Sequence, residues 1–347
     1  MASPLISICL PNLNTCQFLE ERMATILAQT VKDWELIICD SHSDDGSWEF
    51  FQKFEGDPRV RLYRVPREGI YAGWNECLRR ANGTYIYIAT SDDTANPTVL
   101  EKLITPLERH PEIAVACCDF DPIDEFGHIL PPTKEPLHRF LGEWRNIPSI
   151  RSGKTEFLLH DCFCITWATI TAVVFRRSLL DRIGLFSTER RSHADFEWAM
   201  RAALASDLIY IPEKLATWRK HSNQATKQVY DWKFQRLQFD CLDAVLDDPH
   251  SGIPSAWKSI PDWQAQIKAV WEIEYLDGFF LYRGFAKSNP SQFARYCWDS
   301  LRLKPSHLLY QAIRGFPWSP ECSPDRVAAA KHLVNLFKAP WPPRQLA

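Results

Sequence analysis

No apolar run in the sequence approaches the ~18 residues that a membrane-spanning helix needs. The N-terminus lacks a basic segment followed by a long apolar one, so no signal peptide is expected. Charge of one sign is also lacking: 40 Lys and Arg face 43 Asp and Glu, for a net charge of −3. Without a basic stripe, nucleic acid is not an expected partner. Zinc spacing is absent, since no C-x2-C pair is followed by another and the 10 His are scattered. The 11 Cys are odd in number and form no disulfide-like framework, which points to a reducing, cytoplasmic setting. No G-x-G-x-x-G follows the first strand-like run, which discounts a dinucleotide-binding oxidoreductase. No internal repeat or low-complexity segment is present.

What the chain has is globular composition, with 46% hydrophobic residues, 14 Trp and 20 Phe. Short β-branched runs at 5–10, 34–40, 60–65 and 84–90 predict strands, and further runs at 113–120, 172–177 and 208–212 continue the series. Helical periods lie between them. Leu19, Met23, Ile26 and Leu27 share one face of the first. Ile70, Trp74, Cys77 and Ala81 share one face of the second, with Gly83 as its stop. Leu100, Leu103, Ile104 and Leu107 mark a third, in which Pro106 should kink or shorten the helix. Alternation of this kind predicts βαβ units and a sheet covered on both faces. After about residue 228 nothing strand-like follows, so 1–227 read as an α/β domain and 228–347 as a helical C-terminal region.

Polar and acidic groups gather at the strand ends. Asn12 and Asn14 follow the first strand, "CDSHSDDGS" follows the second, and Asp92-Asp93 follows the fourth. Ligands of an open α/β sheet bind at the carboxyl ends of its strands, and one shared cleft would explain all three. Two adjacent carboxylates repel each other unless a cation arrives between them, although Asp-rich turns also form for local reasons. Tyr71 and Trp74, at helical spacing, read as core residues.

Taken in order, "PNLN", the D-x-x-S-x-D-G-S pattern of Asp40, Ser43, Asp45, Gly46 and Ser47, and "GIYAGWNECLRRANGTYIYIATSDD" resemble the family 2 glycosyltransferases. The resemblance covers roughly residues 5 to 225 and implies a GT-A fold, Rossmann-like, with a mostly parallel mixed sheet flanked by helices. It implies an inverting transfer of a sugar from a nucleotide-diphospho-sugar to an acceptor hydroxyl, in glycan, polysaccharide or lipopolysaccharide biosynthesis. The alternative is an inactive GT-A-like nucleotide-sugar binding or scaffold protein.

The resemblance also implies a site. Pro11, Asn12, Asn14, Asp40, Ser43, Gly69, Asn75, Asp92 and Arg219 would bind the nucleotide-sugar, with Asp40 at the base. Asp92, Asp93 and His221 would hold a divalent cation, Mg²⁺ or Mn²⁺, that neutralises the leaving diphosphate. Many relatives carry D-x-D-D where this chain has Thr90-Ser91-Asp92-Asp93, so which Asp ligates the metal and which the ribose stays open. Asp195 matches the catalytic base of the family's E-D motif, with Ala194 in place of the Glu. A helix-start Asp is also favoured for capping alone. Arg219 and His221 match the R-x-H segment that closes the nucleotide site. "HDCFCITWATI" (160–170) lies where the family's acceptor region begins. UDP-, GDP- and dTDP-sugars are not distinguished by these motifs, a UDP-sugar being the first expectation. The acceptor is a glycan or lipid-linked molecule. The aromatic residues of 228–347 (Trp257, Trp263, Trp271, Phe279, Phe280, Trp298) fit acceptor binding, a homodimer or peripheral contact with the inner membrane face equally well.

Overall fold

The computed structural model describes residues 3–131, 136–163, 167, 169–190, 193–222, 224, 232–270, 290–291, 294, 298, 301–302 and 324–346. Trp271, Phe279 and Phe280, expected in a helix, lie outside the described residues, as do residues 164–166 and 168 of the expected acceptor segment.

The sheet begins with four parallel strands: β1 (Ile6–Asn12), β2 (Trp34–Asp40), β3 (Val60–Arg64) and β4 (Tyr85–Ile88). Every residue of β1, β2 and β4 is buried, which is why they read as near-continuous apolar runs. Alternate side chains still divide between two cores. Ile6, Ile8, Leu10, Leu36 and Ile38 face one, and Cys9, Ile37, Cys39, Ile86 and Ile88 face the other. The first core is covered by α1 (Cys16–Leu27) and α4 (Val99–Arg109), and the second by α3 (Ile70–Arg80). A short α2 (Ser47–Gln52) follows β2. Leu27 and Ile70, expected on apolar faces, are instead exposed at the helix ends. Pro106 sits inside α4, which continues to Arg109.

Five more strands complete the order β3-β2-β1-β4-β7-β5-β8-β6-β9. They are β5 (Val115–Ile123), β6 (Ser149–Arg151), β7 (Val173–Arg176), β8 (Leu208–Arg219) and β9 (Arg344–Gln345). β7 runs antiparallel between β4 and β5, so the sheet is mixed. β8 is longer than its five-residue apolar core predicts. Its register against β5 slips twice, around Asp119, and its second half turns toward the loop after β4. There Thr217 and Thr94 exchange bonds, with Thr217 N–H donating to the Thr94 carbonyl at 3.0 Å and Thr94 N–H to the Thr217 hydroxyl at 2.9 Å.

Four helices follow on the second face: α5 (Pro136–Leu141), α6 (Gly153–Phe163), α7 (Leu179–Ile183) and α8 (Ala194–Ala205). The described C-terminal helices pack on this domain. α9 (Trp232–Asp247) packs on α8, and the helix Pro324–Leu336 packs on α5 and α6. Trp257 Nε1 donates to the Phe337 carbonyl at 2.9 Å, and β9 pairs with β6 as the last strand of the sheet. A two-residue strand leaves no periodic trace, so sequence pattern does not reveal it. Among the described residues no helix is long and apolar enough to cross a membrane.

Gly83 has a stricter task than ending a helix. A Cβ there would lie 2.4 Å from the Ser7 nitrogen and 2.7 Å from the Ile6 carbonyl carbon, so β1 and the turn before β4 touch through their backbones. Gly83→Ala must push these strands apart, and a loss of about 1–3 kcal/mol is expected from overpacking. Urea denaturation of the variant and the wild type measures it, and an unchanged midpoint would contradict the contact.

Candidate active site

The carboxyl ends of β1 and β2 lie side by side, with Asn12 in register with Asp40. Asp40 is fully buried. Its Oδ1 accepts from the Asn12 amide at 2.8 Å and its Oδ2 from the Ser43 N–H at 2.9 Å. The Arg64 guanidinium lies 3.7 Å from Oδ2 and stacks over Trp48. Ser43 Oγ accepts from both the Asn12 amide and the Asn14 N–H. Asn14, at φ 54°, trades bonds with Asp44 on the exposed rim. The turn after β2 is thus fastened to the turn after β1, and both open one corner of the cleft. Pro11 is buried at the end of β1, where a Cβ at Gly73 of α3 would reach it at 3.8 Å. Gly69 opens α3 at φ 103° with free space beside it.

Asn75 takes a different place from that expected. It is buried, its amide donates to the Phe186 carbonyl at 2.8 Å, and its Oδ1 accepts the Phe186 N–H at 3.1 Å. Both ends of the amide clamp the chain before α8 onto α3.

The two acids after β4 differ sharply. Asp93 is 3% exposed and is surrounded by donors. Its Oδ1 accepts the Arg219 N–H at 2.8 Å, and its Oδ2 accepts the hydroxyls of Thr90, Thr171 and Thr169 at 2.6, 3.0 and 3.4 Å. Burial, and then the charge of Asp92, push its pKa up to about 6 against the pull of these hydrogen bonds and of buried Arg22. The Asp92 carboxylate remains partly open, with Oδ2 3.1 Å from His221 Nε2. His221 is buried under Phe18, ring centroids 5.0 Å apart, and among the described residues its Nδ1 has no hydrogen-bond partner.

Arg219 is likewise committed. Nε donates to the Asp92 carbonyl at 2.6 Å, Nη1 to the Asp124 and Glu125 carbonyls at 3.3 Å, and Nη2 to Glu21 Oε2 at 2.5 Å. With Phe18 under its guanidinium it is 1% exposed, so it braces the loop rather than offering donors to a diphosphate. Sequence pattern could not foresee Arg22 either: it lies on the buried face of α1, fully enclosed, with the Tyr87 hydroxyl 3.4 Å away.

A divalent ion fits the Asp92–His221 pair better than it fits Asp93. The Asp92 carboxylate and the His221 imidazole, 3.1 Å apart, are two donor types that would hold such an ion, whereas both oxygens of Asp93 are taken by protein donors. Among the described residues no cluster of three His, Cys, Asp or Glu could hold a metal. Such ions are commonly held by one or two protein groups with substrate phosphates filling the rest.

Asp195 occupies the first turn of α8, exposed to solvent. Protein packed around its carboxyl raises its pKa, against the pull of the Tyr71 hydroxyl and of backbone N–H groups. Arg201 ties α8 back to the preceding turn through Glu197 and the carbonyls of Ile183 and Leu185.

Three comparisons bear on this geometry. A family model described as Glycosyl transferase family 2 matches residues 7–184. The chain is 33% identical over 142 residues to "Putative glycosyltransferase EpsE" of Bacillus subtilis, covering 39% of this chain and 51% of that protein. It therefore spans about half of that relative's length. To "Uncharacterized glycosyltransferase EpsJ" of the same organism it is 24% identical over 260 residues, covering 74% of this chain and 73% of the other. The crystal structure of S. aureus TarS 1-349 in complex with UDP-GlcNAc superposes with a TM-score of 0.63 at 14% identity, over 96% of this chain and 91% of that one. That likeness establishes the fold, a GT-A mixed sheet flanked by helices.

The contrast between the two acids is measurable in stability. Asp93→Ala strands a buried N–H and buried hydroxyls and should cost about 1–3 kcal/mol or more. Asp92→Ala, at the edge of the cleft, should stay within about 0.5 kcal/mol. Equal losses in urea denaturation would contradict the assignment of Asp93 as the anchor.

Proposed function

The chain belongs to glycosyl transferase family 2, and on that premise we propose that it catalyses a single, inverting displacement at the anomeric carbon of a nucleotide-diphospho-sugar. The observation that carries this reading is the meeting of Asp92 and His221, 129 positions apart in sequence, at the loop that follows β4.

Asp40 and Asn12, buried at the carboxyl ends of adjacent strands, shape the corner that receives the nucleotide base and ribose. Asp40's oxygens already accept from Asn12 and Ser43, so it fixes the turn that forms this corner. Asp92 and His221 hold the divalent cation, Mg²⁺ or Mn²⁺. When bound, that ion offsets the negative charge that grows on the departing diphosphate. Thr90, where many relatives carry a further acid, donates its hydroxyl to Asp93 and so supports the anchor. Ser43 and Gly69 border the same opening.

Asp195 takes the proton of an acceptor hydroxyl as its oxygen bonds to the anomeric carbon and the sugar–phosphate bond breaks. A carboxylate in water is a weak base, and the protein packed around this one makes it stronger. Attack from the face opposite the leaving group inverts the anomeric configuration. The bound UDP-GlcNAc of TarS makes a UDP-sugar the first donor to test, with a sugar hydroxyl of a growing or lipid-linked glycan as acceptor.

The test is turnover and its pH dependence. Asp195→Asn should lower transfer by about 10²–10⁴-fold, the usual worth of a general base, while nucleotide binding persists. In the wild type the base works only when ionised. Transfer should therefore fall as pH drops through a pKa raised above the ordinary carboxylate value. Wild-type turnover by Asp195→Asn would remove the base from the mechanism.

A further inference from the structure

An amide buried in the middle of a helix is costly unless its polar atoms find partners. Asn75 is 2% exposed in α3 and meets that condition with a single residue. Its Nδ2 donates to the Phe186 carbonyl at 2.8 Å, and its Oδ1 accepts the Phe186 N–H at 3.1 Å. Two bonds to one residue fix a direction as well as a distance. An apolar side chain of the same bulk would fill the space and fix neither.

The segment that Asn75 grips is held on its other side by α8. Trp198 Nε1 donates to the Gly184 carbonyl at 3.3 Å. Arg201 Nη2 donates to the Leu185 carbonyl at 3.0 Å and Nη1 to that of Ile183, while Glu197 of the same helix steadies the guanidinium. The Phe186 ring stacks on Trp198 at 4.9 Å and meets Trp74 of α3 edge-on at 5.2 Å. Each carbonyl from Ile183 to Phe186 thus accepts from a side chain of one helix or the other. The segment is a splint between α3 and α8.

These two helices carry different parts of the proposed reaction. α3 lies against the turns after β1 and β2: a Cβ at Gly73 would sit 3.6 Å from Ser41 Oγ and 3.8 Å from the Pro11 Cβ. Arg67, just ahead of α3, donates to the Ser41 and His42 carbonyls at 3.0 and 2.7 Å. α8 bears Asp195 in its first turn, about one turn ahead of Trp198 and two ahead of Arg201. We propose that Asn75 is a positioning residue for the transfer. Through the splint it sets the rotation and depth of α8, and so the place of Asp195, relative to the strand ends that take the nucleotide. The inference rests on Asp195 being the base and on those strand ends holding the donor.

The test uses the full chain as wild type, Asn75→Leu, Arg201→Met, the double variant and Asp195→Asn. Turnover is the nucleoside diphosphate released with Mn²⁺ from UDP-GlcNAc, UDP-glucose, GDP-mannose or dTDP-glucose, with water as acceptor. Hydrogen exchange follows the first turn of α8, and a thermal shift with the matching diphosphate and Mn²⁺ follows nucleotide binding. Asn75→Leu should melt earlier yet keep its nucleotide shift and donor KM. Its kcat per folded molecule should fall about 10–10²-fold, since small misplacements of a reacting group are costly. Amides at the start of α8 should exchange faster while those of β1 stay protected. Arg201→Met cuts the splint from the α8 side and should give the same split, which keeps the test open if Asn75→Leu folds poorly. The double variant should lose no more kcat than the worse single one, because both act through one segment. A purely structural Asn75 would lower the melting point and leave kcat per folded molecule at the wild-type value. That result, a rise in donor KM in place of the loss in kcat, or losses that multiply in the double variant would overturn the positioning role and leave the base untouched. Wild-type turnover by Asp195→Asn, or no release by the wild type from any of the four donors, would overturn the reading beneath it and the inference with it.

Discussion

The mouth of the cleft depends on keeping one buried carboxylate, that of Asp93, surrounded by donors. A charge taken out of water at 3% exposure is tolerable only if protein groups replace its hydration. Here they come from three separate places: Thr90 at the end of β4, Thr169 and Thr171 just before β7, and the backbone of Arg219 at the end of β8. Satisfying Asp93 therefore brings these segments to one point. It also explains why β8 must run long and slip against β5, since Arg219 would otherwise fall short of the loop.

From that anchor the remaining roles follow by exclusion. Arg219 spends its guanidinium on the Asp92, Asp124 and Glu125 carbonyls and on Glu21, and so fixes the loop from outside. Asp92 is left facing the cleft, with His221 beside it and Phe18 behind the imidazole. Two adjacent acids thus separate into a structural charge and an available one. On the other wall α3 serves two sites. Gly73 lies beside Pro11 near the end of β1, while Asn75 holds the approach to α8.

Much of the fold was legible because β1, β2 and β4 are buried on both faces and leave continuous apolar runs bounded by turn residues. The strand ends were legible for the same reason: polar groups next to such runs have few structural uses. The division of labour among those groups was not legible. Asn75, Arg219 and Asp93 look like binding residues by type, and the partners that hold them are met only in the fold. Thr90 apart, those partners lie 76 to 198 positions away, beyond any local pattern. The mixed sheet, with β7 antiparallel between two strands, also depends on long-range pairing that spacing does not encode.

A cation site formed by Asp92 and His221 would be completed by a nucleotide diphosphate. The thermal stability of the wild type and of His221→Ala with UDP, with Mn²⁺ and with both tests this pairing. A ligand bound only by the native state raises the melting point by mass action. A shift is expected in the wild type that needs UDP and Mn²⁺ together and disappears in His221→Ala. A UDP shift of equal size without Mn²⁺, or one that survives in His221→Ala, would contradict it.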